Sequence, residues 1–158
     1  MKKDSSTQLK ASVIINAPQE LVWKVVRNFG KISDFHPLVK SSKSINEKEG
    51  LGAKRYCELL PMGAMEEEVV QWTDGVSFTA EVIGGKMLPP CHYMKGMLEL
   101  ESRGSQTRVT FTFNYLMKLG LIGRLMNAII IKPQFKKAPP KYVNGLKNYI
   151  ESMEASRV

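Results

Sequence analysis

The chain has 158 residues, 43% hydrophobic and 24% charged, a make-up that fits a globular domain and excludes a disordered or fibrous chain. No apolar run approaches the roughly 18 residues of a membrane span, and the polar start from Met1 to Thr7 leads into no secretory apolar segment. The net charge of +8 is lopsided: from Lys118 onward there are eight basic residues and two acidic ones, which suits a solvated helix face or attraction to an anionic partner.

Leu9, Ala11, Val13 and Ile15 alternate with more polar neighbours and predict a strand over 9–15. The chain then turns helical at Asn16-Ala17-Pro18, with Asn16 or Ala17 at the N-cap and Pro18 in the first turn, where its missing N–H has no partner to lose. Leu21, Val22, Val25, Val26 and Phe29 form one apolar stripe with Trp23 at its edge, and Gly30 marks the stop. A second short helical turn over 32–35 ends at His36-Pro37. Strands are predicted at about 38–47, 52–60, 66–73, 76–83, 91–101 and 106–117, with turns at Glu49-Gly50, Pro61-Met62-Gly63, Thr73-Asp74-Gly75, Gly84-Gly85 with Pro89-Pro90, and Arg103-Gly104-Ser105. Val109, Phe111, Phe113 and Tyr115 alternate with polar residues, as in an antiparallel sheet buried on one side.

The last forty residues are helical. One stripe is Ile122, Leu125, Met126, Ile129 and Ile130, and another is Val143, Leu146, Tyr149, Ile150 and Met153. Pro133 and Pro139-Pro140 fall between them and predict a short helix, a bend and a longer helix, with one kinked helix as the alternative. Strands in succession without crossover helices exclude a doubly wound fold. The class is α+β: a seven-stranded curved antiparallel sheet wrapped around a long C-terminal helix, with two short helices between the first two strands.

Several segments resemble the START/Bet v 1-like (SRPBCC) superfamily, within it the polyketide cyclase/dehydratase-like branch. They are Asn16-Ala17-Pro18-Gln19-Glu20-Leu21-Val22-Trp23, Asp34-Phe35-His36-Pro37, Gly52-Ala53-Lys54-Arg55, Met65-Glu66-Glu67-Glu68-Val69 and Gly145-Leu146-Lys147-Asn148-Tyr149-Ile150-Glu151. The likeness runs from about Leu9 to Glu151, and Pro139-Pro140 departs from it. It implies the helix-grip fold, a single domain over 1–158 with its core at about 9–151, and a cavity between sheet and helix for a hydrophobic or amphipathic small molecule: a lipid, a quinone or a polyketide-like compound. Fold alone does not fix function.

The strand phases put Arg55, Glu67 and Tyr93 on the inner face beside Ala80, Val82, Phe111, Phe113 and Tyr115, while Phe135 and Val143 come from the C-terminal helix. Arg55 and Glu67 can pair across neighbouring strands, and the resemblance implies an Arg and a Glu at these positions. His36 falls at the mouth, where the resemblance implies a basic residue that meets a ligand carboxylate; near neutral pKa, it also suits general acid/base work.

The leading reading is therefore a cytoplasmic binding protein, a monomer or homodimer, without metal, nucleotide or other cofactor, without a nucleic-acid partner, and with at most weak contact to an anionic surface. One alternative is an enzyme of the cyclase/dehydratase type with His36, Glu67 or Tyr93 as acid/base. Another is an interaction module using the basic C-terminal helix. Two cysteines, Cys57 and Cys91, are too few for a disulfide framework and fit a reducing compartment as free thiols.

Overall fold

The computed structural model describes residues 6–157. In chain order the elements are β1 (Thr7–Ile15), α1 (Gln19–Val26), a 3-10 helix (Phe29–Asp34), β2 (Val39–Ser44), β3 (Lys54–Leu59), β4 (Ala64–Thr73), β5 (Ser77–Lys86), β6 (Cys91–Arg103), β7 (Gln106–Met117), α2 (Gly120–Met126), one π-helical turn (Asn127–Ile131), α3 (Lys132–Phe135) and α4 (Ala138–Ala155). The strands form one antiparallel sheet in the order β1-β7-β6-β5-β4-β3-β2. Strands β2 to β7 are a plain meander, and β1 closes on β7. This is the seven-stranded sheet and long C-terminal helix of the helix-grip fold.

Residues directly opposite one another in a sheet share a face. One such row runs Leu9, Phe113, Gly96, Ala80 and Val69 across five strands; the next runs Ala11, Phe111, Leu98 and Phe78. These rows are apolar and form the concave face. Helix α4 lies on it through Tyr142, Val143, Leu146 and Ile150, a stripe at helical spacing that is almost wholly buried. At one end of the sheet α1 and the 3-10 helix complete the cover. There Trp23, Phe29, Trp72 and Phe78 pack ring on ring, and Trp23 Nε1 donates to Asp74 Oδ1 at 3.1 Å.

Several local expectations are corrected. Pro18 is itself the N-cap of α1, in extended conformation, so neither Asn16 nor Ala17 caps it. Gly30 does not stop α1, which ends at Val26; it lies inside the 3-10 helix, where a Cβ would come within 2.9 Å of the Ser44 backbone nitrogen. Gly84-Gly85 is not a turn but the continuation of β5, paired with Glu66 and Met65. Trp23, at the edge of the α1 stripe, is buried in the core.

The prolines begin helices instead of breaking them. Pro139-Pro140 occupies the first turn of α4, where no intrahelical N–H is lost. Pro133 follows the π turn, in which the Lys132 N–H reaches back five residues to the Asn127 carbonyl. That widened turn makes room for the ring of Pro133, which would otherwise press on the carbonyl four residues before it. The stripe of Ile122, Leu125, Ile129 and Ile130 keeps its helical spacing, yet it faces outward.

Helix α4 crosses the chain after the 3-10 helix at Gly145. A Cβ there would fall inside the van der Waals shell of the Phe35 carbonyl oxygen and 3.1 Å from Pro37 Cδ. Both neighbours belong to a short, tied segment, so the helix itself must retreat. Gly145→Ala should therefore destabilise the fold by about 1–3 kcal/mol, against the small gain alanine brings to an open helix. Urea melts of the two proteins measure it, and an unchanged or raised midpoint would refute the close approach.

Candidate functional site

The site is built around one cross-strand pair. Arg55 on β3 stands directly opposite Glu67 on β4, and both turn inward at 5% and 6% exposure. The alternation of Glu66-Glu67-Glu68 sends only the middle carboxylate inside. Arg55 Nε and Nη2 both meet Glu67 Oε1, at 2.9 and 2.8 Å. Its Nη1 donates to the Phe29 carbonyl at 3.0 Å, and its guanidinium lies 3.9 Å from the centre of the Phe29 ring. Burial works against the guanidinium charge, but the attraction and hydrogen bond of Glu67, together with Cys57 and Tyr142, outweigh it, and the pKa of Arg55 moves upward.

The pair shapes its neighbours. Cys57, two residues along on the same face, is fully buried; burial pushes its thiol up to about 12, against the pull of Arg55, so it stays protonated. His36 follows the 3-10 helix, buried to 8% exposure, with Nδ1 accepting the Leu38 N–H at 3.2 Å and its ring edge-on to Tyr142 at 5.5 Å. Burial first, then Arg55 and Lys141, lower its pKa to about 4. In this environment the imidazole is favoured in its neutral form, with Nδ1 occupied by the Leu38 N–H.

Tyr142 is the residue that sequence reading missed. It stands one turn into α4, stacked flat on Phe111 with centroids 4.3 Å apart, and edge-on to Phe35. Burial, countered by Arg55 and reinforced by Glu67, carries its phenol well above the usual range. Its signal was the spacing Tyr142, Leu146, Ile150, obscured by the prolines just before it.

Farther along the concave face, Phe113 and Tyr115 on β7 meet Phe135 of α3 edge-on, at 5.3 and 5.1 Å. Tyr115 donates to Asn127 Oδ1 at 2.5 Å, and Asn127 Nδ2 donates to Thr7 Oγ1 at 3.1 Å, which anchors the π turn over β1 and β7. Val82, directly opposite Glu67, joins the polar pair to this apolar end. Ala80, Tyr115 and Val143 are packed solid, whereas Val82, Phe111, Phe113 and Phe135 keep partial exposure. Side chains on the inner face of interior strands stay accessible only if open space remains between sheet and helix. At Gly96 the missing side chain lets the Phe111 ring lie close on β6, since a Cβ there would stand 2.8 Å from that ring.

Tyr93 is not part of this constellation. Met94, Leu98 and Leu100 are the buried, inward residues of β6, so Tyr93 lies on the opposite face, paired with Leu116 and with Lys95 Nζ 5.4 Å from its ring centre. Pairing is regular from Tyr93 to Arg103, so Tyr93 shares the outward phase of Glu99 and Glu101; the irregularity between Cys91 and Tyr93 affects only the start of the strand. His92 is exposed, and Cys91 Sγ sits 3.6 Å from Met117 Sδ. Among the described residues no group of three or more His, Cys, Asp or Glu side chains is placed to hold a metal ion.

Two outcomes follow from this electrostatic arrangement. Arg55→Met or Glu67→Met alone strands a buried charge and should cost about 3–5 kcal/mol, while the double variant should recover most of the loss. Small, additive effects in urea melts of the four proteins would show that the pair is not buried. The His36 pKa is depressed on folding, so the unfolded chain binds more protons between pH 6.5 and 4. The stability it contributes is complete above pH 6.5 and falls, by roughly 3 kcal/mol in all, as pH drops through that window. His36→Asn, which keeps an acceptor for Leu38, should flatten this part of the stability profile; a slope as steep as in the parent protein would mean that other groups produce it.

The same architecture recurs in solved structures at low sequence identity. A protein from Thermus thermophilus superposes with a TM-score of 0.76 and 18% identity, over 93% of this chain and 99% of its own. The Zhui aromatase/cyclase from a Streptomyces species gives 0.73 and 12%, over 92% and 94%. A norcoclaurine synthase variant from Thalictrum flavum gives 0.72 and 12%, over 94% and 96%. Likenesses this distant carry the fold alone. No protein of curated function matches by sequence. Residues 6–151 match the family described as polyketide cyclase/dehydrase and lipid transport. The chain belongs to that family, in whose helix-grip fold the space between sheet and C-terminal helix binds a hydrophobic or amphipathic small molecule.

Proposed function

We propose that the protein is a carrier or receptor for an amphipathic small molecule rather than a catalyst. The polar end of the ligand lies toward Arg55, Glu67, His36 and Tyr142, and its apolar body lies among Val82, Phe111, Phe113 and Phe135. The observation that carries this reading is the state of the titratable groups. Arg55 and Glu67 are closed on each other, His36 is neutral well below physiological pH, and the Tyr142 phenol is held protonated. A cyclase-type acid/base needs a group that can exchange its proton near the working pH. The site has polar groups that can accept or donate a hydrogen bond, which is what orients a ligand in a mostly apolar pocket.

The accessible aromatic edges suit a flat or flexible apolar body, and Tyr142 on Phe111 supplies a platform of stacked rings. Residues 9–151 act as one ligand-binding domain. Two free cysteines, one fully buried, suit a reducing cytoplasmic setting.

An environment-sensitive apolar dye and a medium-chain fatty acid should each bind the native protein at about one site per chain. Phe113→Trp enlarges a side chain that already faces the open space, so it should abolish binding while leaving the urea midpoint within about 1 kcal/mol of the parent. Undiminished binding by that variant would place the ligand elsewhere and overturn the reading.

A further inference from the structure

The segment from Lys118 to Phe135 is built inside out. Toward the protein it presents Gly123 beside Met117, Asn127 in its hydrogen bonds to Tyr115 and Thr7, and Ile131 in the core. Outward it presents aliphatic side chains at helical spacing: Leu121 is 79% exposed, and Ile122, Leu125, Ile129 and Ile130 are each half exposed or more. The turns beside it add to this. Lys118 N–H donates to the Pro90 carbonyl, Leu88 and Met117 both pack against the cluster that contains Ile131, and a Cβ on Gly63 of the β3–β4 turn would lie 3.6 Å from Met87 Cβ. Met62 and Met87, both largely exposed, therefore belong to the same end of the molecule. Clustered exposed aliphatics of this kind mark an interaction surface.

The charge around this face selects its occupant. Lys118, Arg124, Lys132, Lys136 and Lys137 are all exposed, none has an ion-pair partner among the described residues, and no acidic residue occurs between Lys118 and Ile150. A second copy of the chain on this face would bring the same cations against them. A protein interface also favours aromatic anchors at its centre, and here there are only Leu, Ile and Met side chains. Aliphatics ringed by Lys and Arg are what an anionic bilayer surface accepts: the former enter the acyl boundary and the latter meet headgroup phosphates.

We infer that this end of the protein docks on an anionic phospholipid membrane surface through the outward face of α2 and the π turn. Phe135 and Ile131, on the inner side of the same segment, cover the apolar end of the ligand site. Docking therefore brings that end of the site to the bilayer. The inference goes beyond the ligand reading and is measured without any ligand.

The test is co-sedimentation of the full chain with two kinds of vesicle. With equal parts phosphatidylcholine and phosphatidylglycerol the protein should pellet, and with phosphatidylcholine alone it should stay in the supernatant. Raising the salt should release it. Leu121→Asp with Leu125→Asp changes two exposed side chains, so the fold should survive, and affinity should fall at least about tenfold. Arg124→Gln with Lys132→Gln should weaken binding to the mixed vesicles by about tenfold or more. Failure to pellet with mixed vesicles, or binding untouched by the aspartates, overturns the inference. So does a homodimer in free solution that the aspartates dissociate, since the face would then be covered by a second copy. A protein that pellets as expected yet binds neither dye nor fatty acid keeps this inference and loses the ligand reading; the converse result loses only this inference.

Discussion

A guanidinium in an apolar interior needs a counter-charge and acceptors for its remaining donors, and the centre of this molecule is arranged to meet that need. Glu67 supplies the charge from the adjacent strand, and the Phe29 carbonyl takes a third donor. That last bond reaches outside the sheet. It ties β3 and β4 to the end of α1 and the 3-10 helix, whose Phe29 ring also lies against the guanidinium. One side chain thus fixes three parts of the chain at once. The same positive charge, in a place with little water, helps to hold His36 neutral and opposes the upward drift of Cys57 and Tyr142. The chemistry of the site is subordinate to the pair.

Around that centre the interior divides into two ends of different build. One end contains the Trp23, Trp72 and Phe78 cluster, α1 and the buried stripe of α4, and it holds most of the wholly buried side chains, with Trp72 and Phe35 among those only partly covered. The other contains Phe113, Phe135, Val82, Leu88 and Met117, which are only partly covered. In a close-packed protein, interiors are filled nearly everywhere, so the partial accessibility of the inward rings Phe111, Phe113 and Phe135 is informative. It locates the remaining space beside the aromatic residues of β7 and under α3.

The sheet was readable because its signal is local. Alternation of apolar and polar residues fixes both strand and face wherever the pairing is regular, as at Val109 to Tyr115. On β6 the same alternation sets Leu98 and Leu100 inside and Glu99 and Glu101 outside, and Tyr93 belongs with the outward set. The Arg55–Glu67 pair was legible from strand phase and from the motif together. Tyr142 was not, since it faces inward only because α4 begins at Ala138, and two prolines read as a break until they are seen to occupy the first turn. The acidity of His36 was beyond reach as well. Its depression comes from burial and from Arg55, nineteen positions away in the chain, and neither is written in the residues next to it. The Leu121 to Ile130 segment shows a further limit. Periodicity says that apolar residues share a face of a helix; it does not say whether that face turns toward the protein or away from it.

This uneven construction bears on how any ligand could enter. Helix α4 has five buried residues, Pro139, Tyr142, Val143, Leu146 and Ile150, whereas α2, the π turn and α3 together bury Gly123 and Ile131. Segments with little buried apolar surface open at lower free energy than the core to which they are attached. At the start of the segment Leu119 and Gly120 both take left-handed backbone angles, at φ of 72° and 52°. Leucine occupies that region at a cost that any rearrangement of the turn would relieve. Holding the segment down are Phe135 on the β7 aromatics and Asn127 on Tyr115 and Thr7. Its outward aliphatics gain nothing from water in the closed arrangement, so a low-dielectric surface that accepts them offsets part of what opening costs. The polar pair at the other end of the site takes no part in that movement, because its bonds run to β3, β4 and Phe29 only. The polar pair and the segment that covers the other end of the site are thereby held by separate contacts.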